Sequence, residues 1–272
     1  MLKARIATAA VLIPIVIALI FFADVIWFAA FFALIVSIGA WEWGDLSKLN
    51  EKMKYMYVFI SLSILFVIYW FDNSFLNNSM ILIGAVYWLV AIVLVVFYQK
   101  QRNLLPRNSS ILMLIGFLLL VPMWCSLVVL KSNTETGPVL IMLLMLLIWG
   151  ADTAAYFAGK KWGKRKLANH VSPGKTWEGT IAGVIASIVI AIAYVIVSNK
   201  NLDESLFFLG IAIITVIGSV FGDLMESIVK REAEQKDSGN ILPGHGGVMD
   251  RIDSLTAASP IFVFGLILTG QV

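Results

Sequence analysis

Charged residues and cysteine are scarce in this sequence. Only 14% of its 272 residues are charged and 60% are hydrophobic, whereas a soluble domain usually has about 25% charged residues and less than half apolar ones. Such a chain cannot cover itself with a polar surface, so lipid must be its solvent over much of its length. The single cysteine, Cys125, excludes an intrachain disulfide, and because it lies in an apolar run we expect it to pack in the core.

Long apolar stretches recur along the whole chain. A transmembrane helix needs about 20 mostly apolar residues, and continuous runs such as 80–97 do not alternate as the strands of a membrane β-barrel do. We therefore predict an all-α polytopic membrane protein, a single integral membrane domain over residues 1–272 with nine transmembrane helices. The predicted spans are Ile6–Phe22, Val25–Ala40, Tyr55–Phe71, Ser79–Tyr98, Ser110–Leu130, Gly137–Phe157, Thr180–Val197, Leu206–Val229 and Ala257–Thr269.

The lysines and arginines predict how the spans are oriented. Of 20 such residues, only Lys131 and Lys200 fall on one side of the predicted bundle. Because cytosolic loops are enriched in lysine and arginine, the other side is predicted to be the cytosol, with the N-terminus inside and the C-terminus outside the cytoplasmic membrane. Lys3 and Arg5 also give the first span the basic start of a cleavable signal peptide, but we expect it to be retained as a helix. The predicted cytosolic segments are the N-terminus and residues 41–54, 99–109, 158–179 and 230–256.

The loops on the two sides differ in length. The longest, 158–179 and 230–256, are both predicted to be cytosolic. Function concentrates in long loops held by a rigid scaffold. We therefore expect residues 1–136 to be mainly scaffold and residues 137–272 to be the catalytic half, with the active site facing the cytosol.

Three carboxylates, Asp152, Asp223 and Glu226, fall inside predicted spans. A charge in the bilayer centre costs about 2.5–3.5 kcal/mol or more, so each needs a functional or a structural reason, the structural one being a stabilising pair with a lysine. Asp223, Glu226, Ser227 and Lys230 are spaced to share one helix face. That face must meet protein or a water-filled cavity, because lipid cannot satisfy it.

The segment 230–256 combines glycines with acidic and basic side chains. Pro243 and the glycines after it forbid a continuous helix, and a glycine-rich backbone beside lysine and arginine can cradle phosphate groups. Asp250 and Asp253 are hard oxygen donors of the kind that Mg²⁺ prefers. His245 has no second histidine close by for a zinc site, so we expect it to form hydrogen bonds. The alternative is a solvated turn with surface charges.

The segment 158–179 contains Gly-Lys-Thr at positions 174–176, which also occurs in nucleotide-binding P-loops. A P-loop would need a glycine at position 169, where this sequence has asparagine. It would also need a preceding strand, which the sequence does not predict. We therefore reject the P-loop and keep Lys175 as a candidate phosphate contact.

Residues at the end of this segment are predicted to organise the next helix. Ser172 and Thr176 can cap its N-terminus, and Gly179 with Gly183 allows another helix to approach closely. The basic residues within 160–166 can instead bind anionic lipid at the membrane surface.

The stretch 227–253 resembles the signature of the phosphatidate cytidylyltransferase family. It reads SIVKREAEQKDSGNILPGHGGVMDRID. Two shorter pieces, 152–156 and 172–179, resemble the same family, although Gly174 stands where we expect a lysine in many relatives. The first five spans have only a compatible hydrophobic profile. The positions that fit the signature are Ser227, Lys230, Arg231, Lys236, Asp237, Gly239, Leu242, Pro243, His245, Gly246, Gly247, Asp250, Arg251 and Asp253.

This resemblance implies transfer of cytidylate from CTP to phosphatidic acid, giving CDP-diacylglycerol and pyrophosphate. It also implies Mg²⁺ held by Asp223 and Asp250, a monovalent cation such as K⁺, and a homodimer among membrane lipids. No nucleic-acid partner is expected. A phosphate monoester has a second pKa of about 6, so the lipid phosphate is largely ionised at neutral pH and no dedicated general base is needed.

The candidate site residues form three groups. The predicted metal ligands are Asp223 and Asp250, with Asp152, Glu226 and Asp253 as additional candidates. The predicted catalytic phosphate contacts are Lys230, Arg231, Lys236 and Arg251. The predicted substrate-binding residues are Lys175, Ser172, Thr176, Ser227, His245, Gly246, Gly247 and Asp237.

Other functions stay open at this point. Within the enzymes, the alternatives are a related CTP-dependent lipid kinase and a CDP-lipid synthase for another lipid. Outside them, the alternative is a polytopic transporter, but transporters often have inverted repeats and midplane sites. Here the intramembrane charges cluster towards one leaflet and no such repeat is apparent.

Overall fold

The computed structural model describes residues 2–99 and 108–272. Over these ranges it contains nine α-helices and one two-stranded antiparallel hairpin. The predicted cytosolic loop 99–109 lies almost entirely outside the described residues, as do the side chains of Lys3 and Arg5. The elements are α1 (Leu2–Phe22), α2 (Val25–Leu46), α3 (Glu51–Phe71), α4 (Ser74–Tyr98), α5 (Ser109–Ser132), α6 (Gly137–Trp162), β1 (Lys166–Ala168), β2 (Ser172–Thr176), α7 (Trp177–Val197), α8 (Leu202–Glu232) and α9 (Met249–Leu268).

The predicted all-α membrane fold is confirmed. In the described part of the chain, eight helices, α2 to α9, are long and apolar enough to cross a membrane. Each of the nine predicted spans corresponds to one helix. The described apolar part of α1, Ala10–Phe22, is shorter than the other eight. Cys125 is buried, as expected.

The two largest differences from the predicted boundaries arise where polar residues continue a helix beyond its apolar stretch. Helix α2 continues to Leu46 rather than ending at Ala40, and α9 begins at Met249 rather than at Ala257. The added turns of α9 carry Asp250, whose carboxylate accepts hydrogen bonds from backbone inside the protein. A hydropathy pattern detects only the helical turns that face lipid. It therefore misses polar turns at the end of a helix, as in α2, or at its start, as in α9.

The segment 158–179, predicted to be a loop, contains the hairpin. Strands β1 and β2 pair although Pro173 and Gly174 are poor strand formers. Lys166 Nζ donates to the Pro173 carbonyl at 2.8 Å and fastens the two strands. The expectation that no strand precedes Gly-Lys-Thr is wrong. These three residues nevertheless lie within β2 itself instead of forming a loop around a phosphate.

The start of α7 follows the prediction in part. Thr176 caps it by accepting a hydrogen bond from Gly179 N at 3.2 Å. Ser172 does not cap, because it lies at the far end of β2. A Cβ on Gly179 or on Gly183 would lie 2.7 or 2.9 Å from a carbonyl oxygen of α6. These two glycines therefore let α6 and α7 pack closely, as predicted.

The helices arrange the site residues around α8. Helix α5 packs on α2, α4 and α9 and is the most buried of the eight long helices. Helix α8 packs on α9 and α7, and α7 packs on α6. The hairpin and the loop between α8 and α9 therefore lie at the same end of the bundle.

Pro260 interrupts the hydrogen bonds of α9, and a side chain from α4 compensates. Proline has no N–H, so the carbonyl of Thr256 four residues earlier has no helical donor. Trp88 Nε1 donates to this carbonyl at 2.9 Å, and the bond is buried. Because a membrane bundle offers little water for a free carbonyl, this bond holds α9 in place.

We expect Trp88→Phe to destabilise the protein by about 1–3 kcal/mol, because it leaves the buried Thr256 carbonyl without a donor. Thermal unfolding in detergent measures this, with a lowering of Tm by about 2–4 °C per kcal/mol. Trp70→Phe is the matched control, since Trp70 is 72% exposed. Equal Tm values for the two variants would contradict the role of this bond.

Candidate active site

A cavity of about 500 Å³ lies between α6, β2, α7 and α8. Its walls carry charges of both signs, including Asp152 from α6, Lys175 from β2 and Asp223 from α8. A cavity of this size with convergent polar groups is typical of a small-molecule site. Its other polar lining residues are Lys160, Lys166, Ser172, Thr176 and Thr180.

Lys175 and Asp223 form an ion pair across this cavity. Lys175 Nζ lies 2.6 Å from Asp223 Oδ2, and both side chains are about a quarter exposed. Ser227 donates to the other oxygen, Oδ1, at 3.2 Å from one turn further along α8. Asp152 lies close enough to interact electrostatically with Lys175 and Asp223. The fold thus brings together residues that the sequence analysis identified in two separate segments, Lys175 in 158–179 and Asp223 with Ser227 in α8.

A second, buried group of charges joins α8 to α9. Lys230 Nζ contacts Glu226 Oε2 at 2.8 Å and also contacts Asp250 Oδ1. The structural alternative, in which a membrane carboxylate pairs with a lysine, therefore holds for Glu226 and likewise for Asp223. Along one face of α8 the contacts run from Asp223 and Ser227 to Glu226 and Lys230, as their spacing predicts.

The second oxygen of Asp250 organises the loop between α8 and α9. Oδ2 accepts from Ser238 N at 2.9 Å and from Gly247 N at 2.8 Å, and it lies 3.1 Å from Ser238 Oγ. Gly246 has φ +82°, and a Cβ there would lie 2.5 Å from this oxygen. The glycines at 246 and 247 therefore have a structural role, which is to let the backbone close around a carboxylate.

Glu42 is a site residue that the sequence did not indicate. It is 2% exposed, near the end of α2. Its Oε1 accepts from Val248 N at 3.0 Å, and its Oε2 accepts from Met249 N at 2.8 Å and from Ser238 Oγ at 3.0 Å. The pattern placed position 42 in a cytosolic loop. The only local signal is one acid between two tryptophans after an apolar helix.

Several predicted residues do not line this cavity. Arg231 donates to the carbonyls of Val171 at 3.4 Å and Gln235 at 3.0 Å, and so ties the hairpin to α8. In the described part of the chain, His245 Nδ1 is buried without a hydrogen-bond partner. Lys236, Asp237 and Arg251 are exposed, and Arg251 lies close enough to Asp152 to interact with it electrostatically.

Three of the predicted acidic ligands, Asp223, Glu226 and Asp250, pair with lysines. Asp253 Oδ1 accepts from Ser254 N at 2.6 Å, and its carboxyl lies near those of Asp223 and Glu226. Over residues 2–99 and 108–272, no three acidic, histidine or cysteine side chains are grouped as a ready-made metal site. The predicted ligands Asp223 and Asp250 each face an ammonium group instead.

Comparison with known proteins places these residues in a family context. The cytidylyltransferase family matches residues 3–268. A protein of Haemophilus influenzae named phosphatidate cytidylyltransferase is 37% identical, over 97% of this chain and 98% of the relative. One of the same name from Pseudomonas aeruginosa is 42% identical, over 96% of both chains. Another from Bacillus subtilis is 35% identical over 66% of this chain and 67% of its own.

Gly246→Ala should destabilise the loop, because a left-handed conformation costs a residue with a Cβ about 1–2 kcal/mol and the new methyl group meets Asp250. Gly174→Ala is the matched control, since a Cβ there meets nothing within 4 Å. We expect a lower Tm in detergent for Gly246→Ala only. Unchanged unfolding of that variant would mean that the loop adapts freely.

Proposed function

This chain belongs to the cytidylyltransferase family, and we propose that it transfers CMP from CTP to phosphatidic acid, forming CDP-diacylglycerol and pyrophosphate for phospholipid biosynthesis. The two full-length relatives bear the name of that activity. The observation that carries the proposal is the pair of charged groups along α8, Lys175 with Asp223 and Lys230 with Glu226 and Asp250. It lies within a bundle whose composition requires lipid.

The proposed reaction joins two anions. An oxygen of the lipid phosphate attacks the α-phosphorus of CTP, and the bond from this phosphorus to the oxygen that bridges to the β-phosphorus breaks. That electron pair leaves with pyrophosphate. The nucleophile is already ionised, so the main tasks are to screen charge, align the two phosphates and stabilise the leaving group.

Basic side chains of the chain would perform much of this screening. Lys175 projects into the cavity, where Ser172 and Thr176 offer hydroxyl groups. Lys230 is buried beside Asp250, at the start of the glycine-rich loop. Lys175 would bind phosphate oxygens in place of its present carboxylate partner, and Lys230 would bind them while it stays beside Glu226 and Asp250. We assign the outer phosphate contacts to Arg231, Lys236 and Arg251, whose side chains are exposed.

The acidic residues fit a divalent cation such as Mg²⁺. Mg²⁺ usually takes one or two protein carboxylates plus substrate phosphate oxygens, so a group of three is not required. Glu226 Oε1 is buried without a hydrogen-bond partner among the described residues, and the Asp253 carboxyl lies beside it. We propose Asp223 and Asp250 as ligands, with Asp152, Glu226 and Asp253 as additional candidates. When bound, the ion would neutralise phosphate charge and polarise the α-phosphate.

Two further parts of the proposal concern the setting of the reaction. We place the site at the cytosolic face of the cytoplasmic membrane, because CTP arrives from water and basic residues mark that side. The monovalent cation and the homodimer that the resemblance implies stay predictions.

The function is tested with purified protein in detergent, phosphatidic acid, Mg²⁺ and CTP labelled on either the α- or the γ-phosphate. Cytidylyl transfer moves only the α-label into lipid and releases pyrophosphate, and a chelator stops it. Transfer of the γ-label would indicate a lipid kinase. A preference for another lipid phosphate would indicate a different CDP-lipid synthase. Substrate flux into liposomes without CTP would indicate a transporter.

In the same assay we expect Asp250→Asn to lower pyrophosphate release at least about 100-fold, as loss of one charge-stabilising group can. The asparagine carbonyl can still accept from Ser238 and Gly247, so the variant should elute as a folded protein. Asp203→Asn is the matched control, because Asp203 is exposed in the first turn of the same helix, α8. Turnover of Asp250→Asn within about twofold of wild type would refute the assignment.

Orientation is tested with a membrane-impermeant maleimide. The one native cysteine is buried, so Lys164→Cys and Glu135→Cys can be labelled separately at exposed positions on opposite ends of α6. In intact spheroplasts we expect labelling of Glu135→Cys, and of Lys164→Cys only after permeabilisation. The reverse pattern would place the proposed site outside the cytosol.

A further inference from the structure

Glu42 supplies a cap that the sequence of α9 itself does not provide. The first N–H groups of a helix have no helical acceptor, and the residue before α9 is Val248, which has no side-chain acceptor. The Glu42 carboxylate from α2 accepts from the backbone N–H groups of Val248 and Met249 instead. The helix dipole makes a negative charge favourable at this end.

The loop between α8 and α9 is shaped around this carboxylate. A Cβ on Gly239 would lie 2.5 Å from Glu42 Oε1, and one on Gly247 would lie 2.5 Å from Oε2. Only residues without a side chain let the backbone approach from these two directions. The loop backbone therefore packs closely against both oxygens of the Glu42 carboxylate, at Gly239 on one side and at Gly247 on the other.

One hydroxyl connects Glu42 to the proposed active site. Ser238 Oγ lies 3.0 Å from Glu42 Oε2 and 3.1 Å from Asp250 Oδ2. Ser238 N also donates to the same Asp250 oxygen. Asp250 directly follows Met249, whose N–H is bound by Glu42. Glu42 thus fixes the position of Asp250 both through the helix start and through Ser238.

We propose that Glu42 is a positioning residue for the transfer reaction: it clamps the loop between α8 and α9 against α2 and so sets the Asp250 carboxylate opposite Lys230. This rests on the proposed function, since Asp250 matters for turnover only if it belongs to the reacting site. It also assigns a role near the chemistry to a helix of the N-terminal half.

The test measures kcat and KM for CTP in Glu42→Gln and Ser238→Ala, together with Tm in detergent. The glutamine keeps one acceptor but turns an N–H group towards a backbone donor. We expect kcat per folded enzyme to fall about 10- to 100-fold, as when an outer partner of a reacting carboxylate is lost, with KM for CTP within about threefold. Glu42→Asp, which keeps the charge, should recover part of kcat. Glu135→Gln is the control, exposed and remote from the loop.

Ser238→Ala separates positioning from folding, because it leaves both backbone bonds to Glu42 in place. We expect it to lower kcat with little change in Tm, and the double variant with Glu42→Gln to lose less than the product of the two single effects. A normal kcat in folded Ser238→Ala and in folded Glu42→Gln would overturn the proposal and leave Glu42 as a helix cap. If Glu42→Gln does not fold, Ser238→Ala decides alone. An inactive wild type would instead contradict the proposed function.

Discussion

The ammonium group of Lys230 lies between the carboxylates of Glu226 and Asp250, and burial makes this arrangement obligatory. A buried charge without a partner costs several kcal/mol, so removal of Lys230 would leave two carboxylates without a counter-ion, whereas removal of either carboxylate leaves the lysine paired with the other. The contact fixes α9 against α8, although only a loop connects them along the chain. Because Asp250 is then held in place, its second oxygen can accept hydrogen bonds from the backbone N–H groups of Ser238 and Gly247. These bonds fix the conformation of the loop between α8 and α9.

The structural and the functional interpretation of these charges are compatible. Asp223 and Glu226 each pair with a lysine, as a stabilising role requires. Stability alone explains them poorly, however, because well-packed apolar residues in place of a buried ion pair are often equally or more stable. Several carboxylates within membrane-spanning helices, paired with Lys175 of β2 and Lys230 of α8, therefore fit better with a site that receives a polyanion and its counter-ion.

The site could be predicted from the sequence only where its residues are close together along one helix. The contacts of Ser227 with Asp223 and of Lys230 with Glu226 follow from helical spacing alone, so the sequence indicated them before any fold was known. Glu42 could not be found in this way, because it meets residues about 200 positions away. The hairpin and the early start of α9 were not predicted from the sequence for a related reason. Their polar residues are satisfied by tertiary contacts, which hydropathy does not register.

The hydrogen bonds to the backbone of the loop between α8 and α9 link the fold to the proposed chemistry. Irregular backbone near a membrane is tolerated only where protein or water satisfies its polar groups, and here Glu42 and Asp250 satisfy the N–H groups of the loop between α8 and α9. Asp250 Oδ2 is therefore committed to the loop, whereas Oδ1 faces Lys230. Of the two oxygens, Oδ1 is the one directed towards a cationic partner, so the loop that holds the carboxylate also selects the oxygen that would serve the proposed reaction.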